Sequence, residues 1–350
     1  MPEKPSSAAG SQRPQPGPTA QTAARQASHA HAADRHLDVA ERRRLCLVAT
    51  SPGESRLLRR GVQAGAITCV RRGMFSRTGY WGQLDPCERA LHMARTLSLR
   101  HRSWVISHAS AALVHGMGVP YRIASPIHFV THSRGGGRPG PGLVHHRCDA
   151  LEWDVFDGVQ ATSPVRTVCD CAAAYPLPDA LAIADSALRS GIVTREQLEA
   201  HLAGRPGSRG VARSRRVVAL ADSRAESGGE SAARGTLIEL GYEIYDLQLV
   251  VDDLEAPGRT YRLDIVLRDS VGRLVALEVD GRVKYERLAE TEGIDSVEMM
   301  MRERQREARV TAHGIPVVRI SGKDAYDKVL IKRRLAAYGV YPQGTNGPSA

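Results

Sequence analysis

A multidomain α/β (α+β) protein is what the 350-residue sequence predicts, and three observations carry that expectation. The length exceeds what a single hydrophobic core ordinarily organises, so two or three domains are expected. Hydrophobic residues make up 42% and charged residues 25%, the balance of a folded globular chain. Segments of helical period alternate with short strand-like runs. From Glu226 they fall in the order α-β-β-β-α-β-α, an α/β sandwich whose third and fourth strands can run parallel across a crossover helix.

Residues 1–36 are rich in Pro, Ser, Gln, Ala and His and lack Leu, Ile, Val and every aromatic. They are read as a disordered tail, and residues 343–350 as a second one. The apolar stretch of a signal peptide is missing, and no apolar run approaches the length of a membrane span. The six cysteines form no CxxC pair, which argues against a zinc ribbon or a disulfide scaffold and for reduced, buried thiols. A cytoplasmic protein is expected.

Residues 37–82 form a small module. "DVAERRRLCLVA" spaces Val39, Leu45 and Val48 as on a helix, "ESRLLRRGVQAG" gives a second helix closed by Gly65, and "AITCVRRGMFSRT" gives a hairpin turning at Arg72-Gly73. Arg56, Arg59 and Arg60 lie on the second helix, with Arg71, Arg72 and Arg77 in the hairpin. Arginines so placed can neutralise phosphates or reach base edges, and a chain whose Lys+Arg exceed Asp+Glu by 48 − 38 = 10 suits a polyanionic partner. A solvated basic face is the plainer alternative.

Residues 85–225 make a mixed α/β middle region. "SHASAALVHGMGV" reads as a helix capped near Ser107, with Ala111, Ala112 and Val114 inward. "PIHFVTH" and "GLVHHR" read as strands flanking the loop "SRGGGRPGPG", which lacks the GK[ST] of a phosphate-binding loop. "TSPVRTVCDCAA" and "PDALAIADSALRSG" give amphipathic helices, and "TREQLEAHLAG" opens on a capping box from Thr194 to Gln197. Ser107, His108, Ser110 and His115 are read as helix-start residues, since no GxSxG elbow accompanies them. A basic connector, residues 205–225, follows.

The segment "LEVDGRVKY" places Glu278 in an otherwise apolar strand, with Asp280 two residues on and Lys284 beyond Gly281. Side chains alternate along a strand, so Glu278 and Asp280 share a face with Ala276, opposite Val275, Leu277 and Val279. In the preceding strand, "YRLDIVL", Leu263, Ile265 and Leu267 share a face and Asp264 takes the other. The connection "DSVG" is short enough to make these strands antiparallel, and counting out from it puts Asp264 opposite Leu277 or Glu278. Two carboxylates that close repel each other, and a divalent cation relieves the repulsion.

The first module resembles the winged helix at the head of AbiEi-type antitoxin proteins, and "SHASAALVHG" with "TSPVRTVCD" is similar to the middle domain of the same actinobacterial type. "ES…R", "YRLDIV", "LEVDGRVKY" and "IPVVRIS" in this order resemble the PD-(D/E)xK nuclease superfamily, and within it the very-short-patch-repair (Vsr) endonucleases, over residues 226–342. That resemblance implies a restriction-endonuclease-like α/β sandwich, DNA as partner, and Mg²⁺ (or Mn²⁺) as cofactor, with no small-molecule cofactor. Asp264 and Glu278 would hold the metal, Glu230 would act as an outer acid, and Val279 would offer its carbonyl. The superfamily lysine falls where this chain has Asp280, so either Lys284 substitutes from the following turn or Asp280 itself binds metal or orients water. Arg306 and Arg319 are expected along the phosphate track. The competing expectation is an antitoxin-like transcriptional regulator that has kept the fold and lost the chemistry.

Overall fold

The computed structural model describes residues 20–131, 140–147, 153–256, 258–280 and 309–344. They build a mixed α/β protein with three sheets of mixed strand orientation, and the chain divides into two compact units, residues 1–84 and 85–350. Among the described residues no helix is long and apolar enough to cross a membrane.

In the first unit, helix α1 (Ala20–Arg42) precedes α2 (Pro52–Gln63), the hairpin β1 (Ile67–Arg71) and β2 (Met74–Arg77), and the short α3 (Thr78–Gln83). The tail expected through residue 36 is therefore helical from Ala20. Alanine is the best helix former, and the small apolar side chains suffice because Ala33, Leu37 and Ala40 are buried. The helix expected to run on to Val48 stops at Arg42 instead. Beyond it Leu47 makes an antiparallel bridge to Phe75 of β2. Ser51 caps α2 and Gly73, at φ +76°, turns the hairpin as read. Leu37, Leu47, Leu58 and Phe75 make the core.

The second unit contains α4 (Pro86–Arg100), β3 (Trp104–Ile106), α5 (His108–Val114), β4 (Ile127–Thr131), β5 (Leu143–His146), β6 (Trp153–Phe156) and β7 (Val159–Thr162). The five strands pair in the order β5-β4-β3-β7-β6, with β4–β5 and β3–β7 parallel. Helices α6 (Pro164–Ala174), α7 (Leu177–Arg189), α8 (Arg195–Ala203) and α9 (Val211–Leu220) follow. They pack through Val168, Cys171, Leu181, Ile183, Leu198 and Val217. The Thr194–Gln197 capping box closes in both directions.

The remainder holds α10 (Gly228–Leu240), β8 (Ile244–Asp252), β9 (Thr260–Arg268), β10 (Leu274–Asp280), β11 (Val317–Ser321) and α11 (Lys328–Ala336). The sheet order is β11-β10-β9-β8, antiparallel except for the parallel β10–β11 pair, as the element order implies. The expected crossover helix lies mostly outside the described residues. Helix α10 lies against α7 at close range, because a Cβ on Gly235 would come within 2.7 Å of Pro178 Cα. Arg234 crosses the same seam to Asp185, with Nη2 2.8 Å from Oδ2 and 3.0 Å from Oδ1. Both residues are buried.

One strand departs from its expected phase. Ile265 and Leu267 pack with Val275 and Leu277 on the α10 side, but Leu263 joins Tyr261, Val266 and Ala276 on the other. The change falls at Asp264. Leu247 and Leu249 of β8 pair with Ile265 and Leu263, while Gln248 between them adopts φ +55°, outside regular strand geometry.

Candidate functional site

Helix α10 delivers Glu230 on its first turn. Ser227 caps the helix, its Oγ accepting the Glu230 N–H at 3.1 Å. The Glu230 carboxylate folds back, so that Oε2 accepts from Glu226 N at 2.8 Å and from Gln248 Nε2 at 2.9 Å. The backbone departure of Gln248 thus serves a side-chain contact with this acid. Burial, and then the negative charge of Asp264, push the Glu230 carboxyl above its ordinary range. Gly229 helps bring α10 to β10, since a Cβ there would sit 3.0 Å from Val279 Cγ1.

Strands β9 and β10 pair from Arg268–Leu274 to Ile265–Leu277, and the next step sets Asp264 opposite Glu278. Here side chains replace the backbone ladder. Val279 N donates to Asp264 Oδ2 at 3.0 Å, and Asp264 N points to Glu278 Oε1 at a long 3.4 Å. Glu278 is buried and Asp264 half-buried. The structure therefore sets Asp264 beside Glu278 and brings Glu230 within electrostatic reach of Asp264. Two carboxylates on adjoining strands offer an all-oxygen donor set of the kind a hard divalent cation takes.

Asp280 is drawn elsewhere. Its Oδ1 lies 3.4 Å from Arg319 Nη1. Arg319 sits on β11 beside Glu278 by register, and its carbonyl accepts from Arg334 Nη1. Arg319, expected along a phosphate track, is thus engaged in an ion pair at the strand ends. Lys284 and Arg306 lie outside the described residues.

Of the expected nucleic-acid contacts in the first unit, Arg56, Arg59, Arg60 and Arg72 are exposed and Arg71 is half-buried. Arg77 has a different task. It pairs with Asp34, Asp38 and Glu41, tying the hairpin to α1.

A trio of histidines in the second unit is announced by no sequence motif. His108 opens α5, His128 sits in β4 and His146 ends β5, and all three rings converge. Burial, and then neighbouring imidazoles, hold the His128 ring down to about 4 and the His108 ring to about 2; burial and His145 hold His146 to about 4. The available signal was the one that exposed Glu278: a polar ring interrupting an apolar strand, in "IHFV" and again in "LVHH". Ser110 and His115 prove structural. Ser110 Oγ accepts from His128 N at 3.0 Å, and His115 Nε2 lies 2.8 Å from the Thr162 carbonyl.

None of the described cysteines forms a disulfide; Cys46, Cys169 and Cys171 are buried as expected, whereas Cys69 is exposed.

No family model matches the chain, and no solved structure matches it. Two uncharacterized proteins of Mycobacterium tuberculosis, one from strain CDC 1551 / Oshkosh and one from strain H37Rv, are each 34% identical to it over 132 residues. That stretch is 38% of this chain and 48% of each relative. The chain spans about half the length of the curated relatives it matches.

Proposed function

We propose that this protein is a Mg²⁺- or Mn²⁺-dependent DNA endonuclease whose site is formed by Glu230, Asp264 and Glu278. The observation that carries the reading is Asp264 standing opposite Glu278 where side chains take over the β9–β10 ladder. Two carboxylates on adjoining strands repel each other, and a divalent cation would relieve that repulsion. Asp264 and Glu278 would hold the ion, which when bound would polarise a phosphodiester and acidify a water ligand. Glu230, its proton affinity raised by burial and by Asp264, is the group suited to hold or accept a proton from that water. The exposed Arg56, Arg59 and Arg60 of α2 would engage the DNA backbone sequence-independently.

The second reading, a DNA-binding regulator with a disabled nuclease site, rests on one observation. Where the nuclease pattern expects a lysine this chain has Asp280, and Asp280 lies against Arg319. The two readings separate on supercoiled plasmid. Nicking that requires Mg²⁺ or Mn²⁺ and disappears in Asp264→Ala and Glu278→Ala supports the endonuclease. Absence of nicking by the wild type, or equal nicking by both variants, refutes it. A footprint on a specific DNA site, formed in EDTA and unchanged in those variants, would favour the regulator.

A further inference from the structure

We propose that His108, His128 and His146 form a second metal site, independent of the carboxylates, that takes one zinc-class transition-metal ion and clamps the start of α5 to the β4–β5 edge of the five-stranded sheet. Their candidate ligand atoms all lie within 4.8 Å of one another, and they form the one His/Cys/Asp/Glu group so arranged among the described residues. Strands β4 and β5 are parallel, with His128 beside Val144 and Val130 beside His146. His128 and His146 are thus two residues apart along one face of the paired strands. The third ring comes from the helix, stacked on His146 with centroids 3.6 Å apart.

Two of the three rings have an outer hydrogen-bond partner. His128 Nε2 lies 3.2 Å from Tyr175 Oη, which leaves Nδ1 for an ion. His108 Nδ1 lies 3.1 Å from Ser107 Oγ, which leaves Nε2. Metal-bound imidazoles characteristically give the outer N–H to such a partner, which fixes ring orientation and tautomer. In the tautomer with both outer nitrogens protonated, His128 Nδ1 presents a lone pair to His146 Nε2 at 2.8 Å. Either a proton or a metal must sit there. Tetrahedral Zn–N bonds of 2.0–2.1 Å set their nitrogens about 3.3 Å apart, so the pair opens by about half an ångström as the ion enters.

Two local features are otherwise unexplained. Ser107 stands at the N-cap of α5 but makes no capping bond, and its hydroxyl is turned to His108. His108 itself adopts φ +52°, a left-handed conformation uncommon for a residue with a β-carbon. The helix start is held off its ordinary geometry, and what the departure achieves is the placement of one imidazole. Three imidazoles without a carboxylate favour zinc and its neighbours over magnesium, calcium or manganese. Three protein ligands leave the fourth tetrahedral position to water.

The test uses tag-free full-length protein, so that no added histidines contribute. Protein from zinc-supplemented cells should retain one zinc per chain by elemental analysis. The metal-free protein titrated with Co²⁺ should develop the visible bands of a tetrahedral site, saturating at one equivalent and displaced by Zn²⁺. The bands should vanish in His128→Ala and in His146→Ala. They should persist in Glu278→Gln, which touches only the carboxylate site. Tyr175→Phe preserves all three ligands and should keep the bands while weakening affinity about 10–100-fold. No zinc and no saturable cobalt spectrum in the wild type would overturn the proposal, since that result does not depend on any variant folding. Cobalt bands that survive in both histidine variants would overturn it as well.

Discussion

The buried Asp185–Arg234 pair holds the helix that carries Glu230, and its removal has a calculable consequence. In Arg234→Met the aliphatic stem remains, and the Asp185 carboxylate, 0% exposed, loses its counter-ion. The Asp222 N–H, 2.7 Å from Oδ1, still donates. Breaking a buried pair by deleting one partner costs about 3–5 kcal/mol. Protonating the carboxyl sets a ceiling on the electrostatic part. From an ordinary aspartate pKa near 3.9, neutralisation at pH 7 costs about 1.36 × 3.1, or ~4 kcal/mol. A loss of about 3–4 kcal/mol at pH 7 is therefore expected. Burial already pushes the Asp185 pKa up against the opposing pull of Arg234, and the variant pushes it further. A carboxyl whose folded pKa is raised contributes stability that is fully present below its unfolded pKa and is lost as pH rises through the folded value. The deficit should accordingly shrink to about 1–2 kcal/mol at pH 4.5. Urea unfolding of wild type and variant at both pH values reads this directly, and the double variant Asp185→Leu/Arg234→Met should recover most of the loss. A deficit under about 1 kcal/mol at pH 7, or one that is the same at both pH values, would refute the reasoning.

Three further outcomes follow from the same physics. Gly235→Ala gains up to about 1 kcal/mol of helix propensity but forces a Cβ to 2.7 Å from Pro178 Cα; backbone cannot yield, so a net loss is expected from an overpacking cost of about 1–3 kcal/mol, and a higher melting temperature would contradict it. In metal-free protein His128, 8% exposed and held to about 4, sits below its unfolded pKa near 6.5; stability is full above about pH 6.5 and falls by about 2 kcal/mol per such group by pH 5, a decline that His128→Asn should flatten in urea midpoints. Replacing Arg56, Arg59 and Arg60 together by alanine should reduce the slope of log K against log salt for DNA binding by about 2.7; an unchanged slope removes α2 from the interface.

The carboxylate pairing was nearly legible because its register hangs on a short turn. The β9–β10 connection leaves little freedom between Arg268 and Leu274, so counting outward placed Asp264 within one residue of its partner. What remained hidden was the phase change of β9 at Asp264, beside the left-handed Gln248 of the neighbouring strand. Helix α1 escaped notice because its buried face is mostly alanine, and because Arg77, far along the chain, supplies its ionic anchor. The histidine trio depends on the parallel pairing of β4 with β5 and on the left-handed start of α5. Neither follows from local pattern, although each histidine is visible as a polar break in an apolar run.

The central claim, that Asp264 and Glu278 exist to hold a divalent cation, is tested most directly by anomalous scattering from crystals soaked in Mn²⁺. A manganese peak bonded to both carboxylates is expected, absent from Glu278→Gln crystals soaked in the same way. Clear density for both side chains with no manganese between them would contradict it.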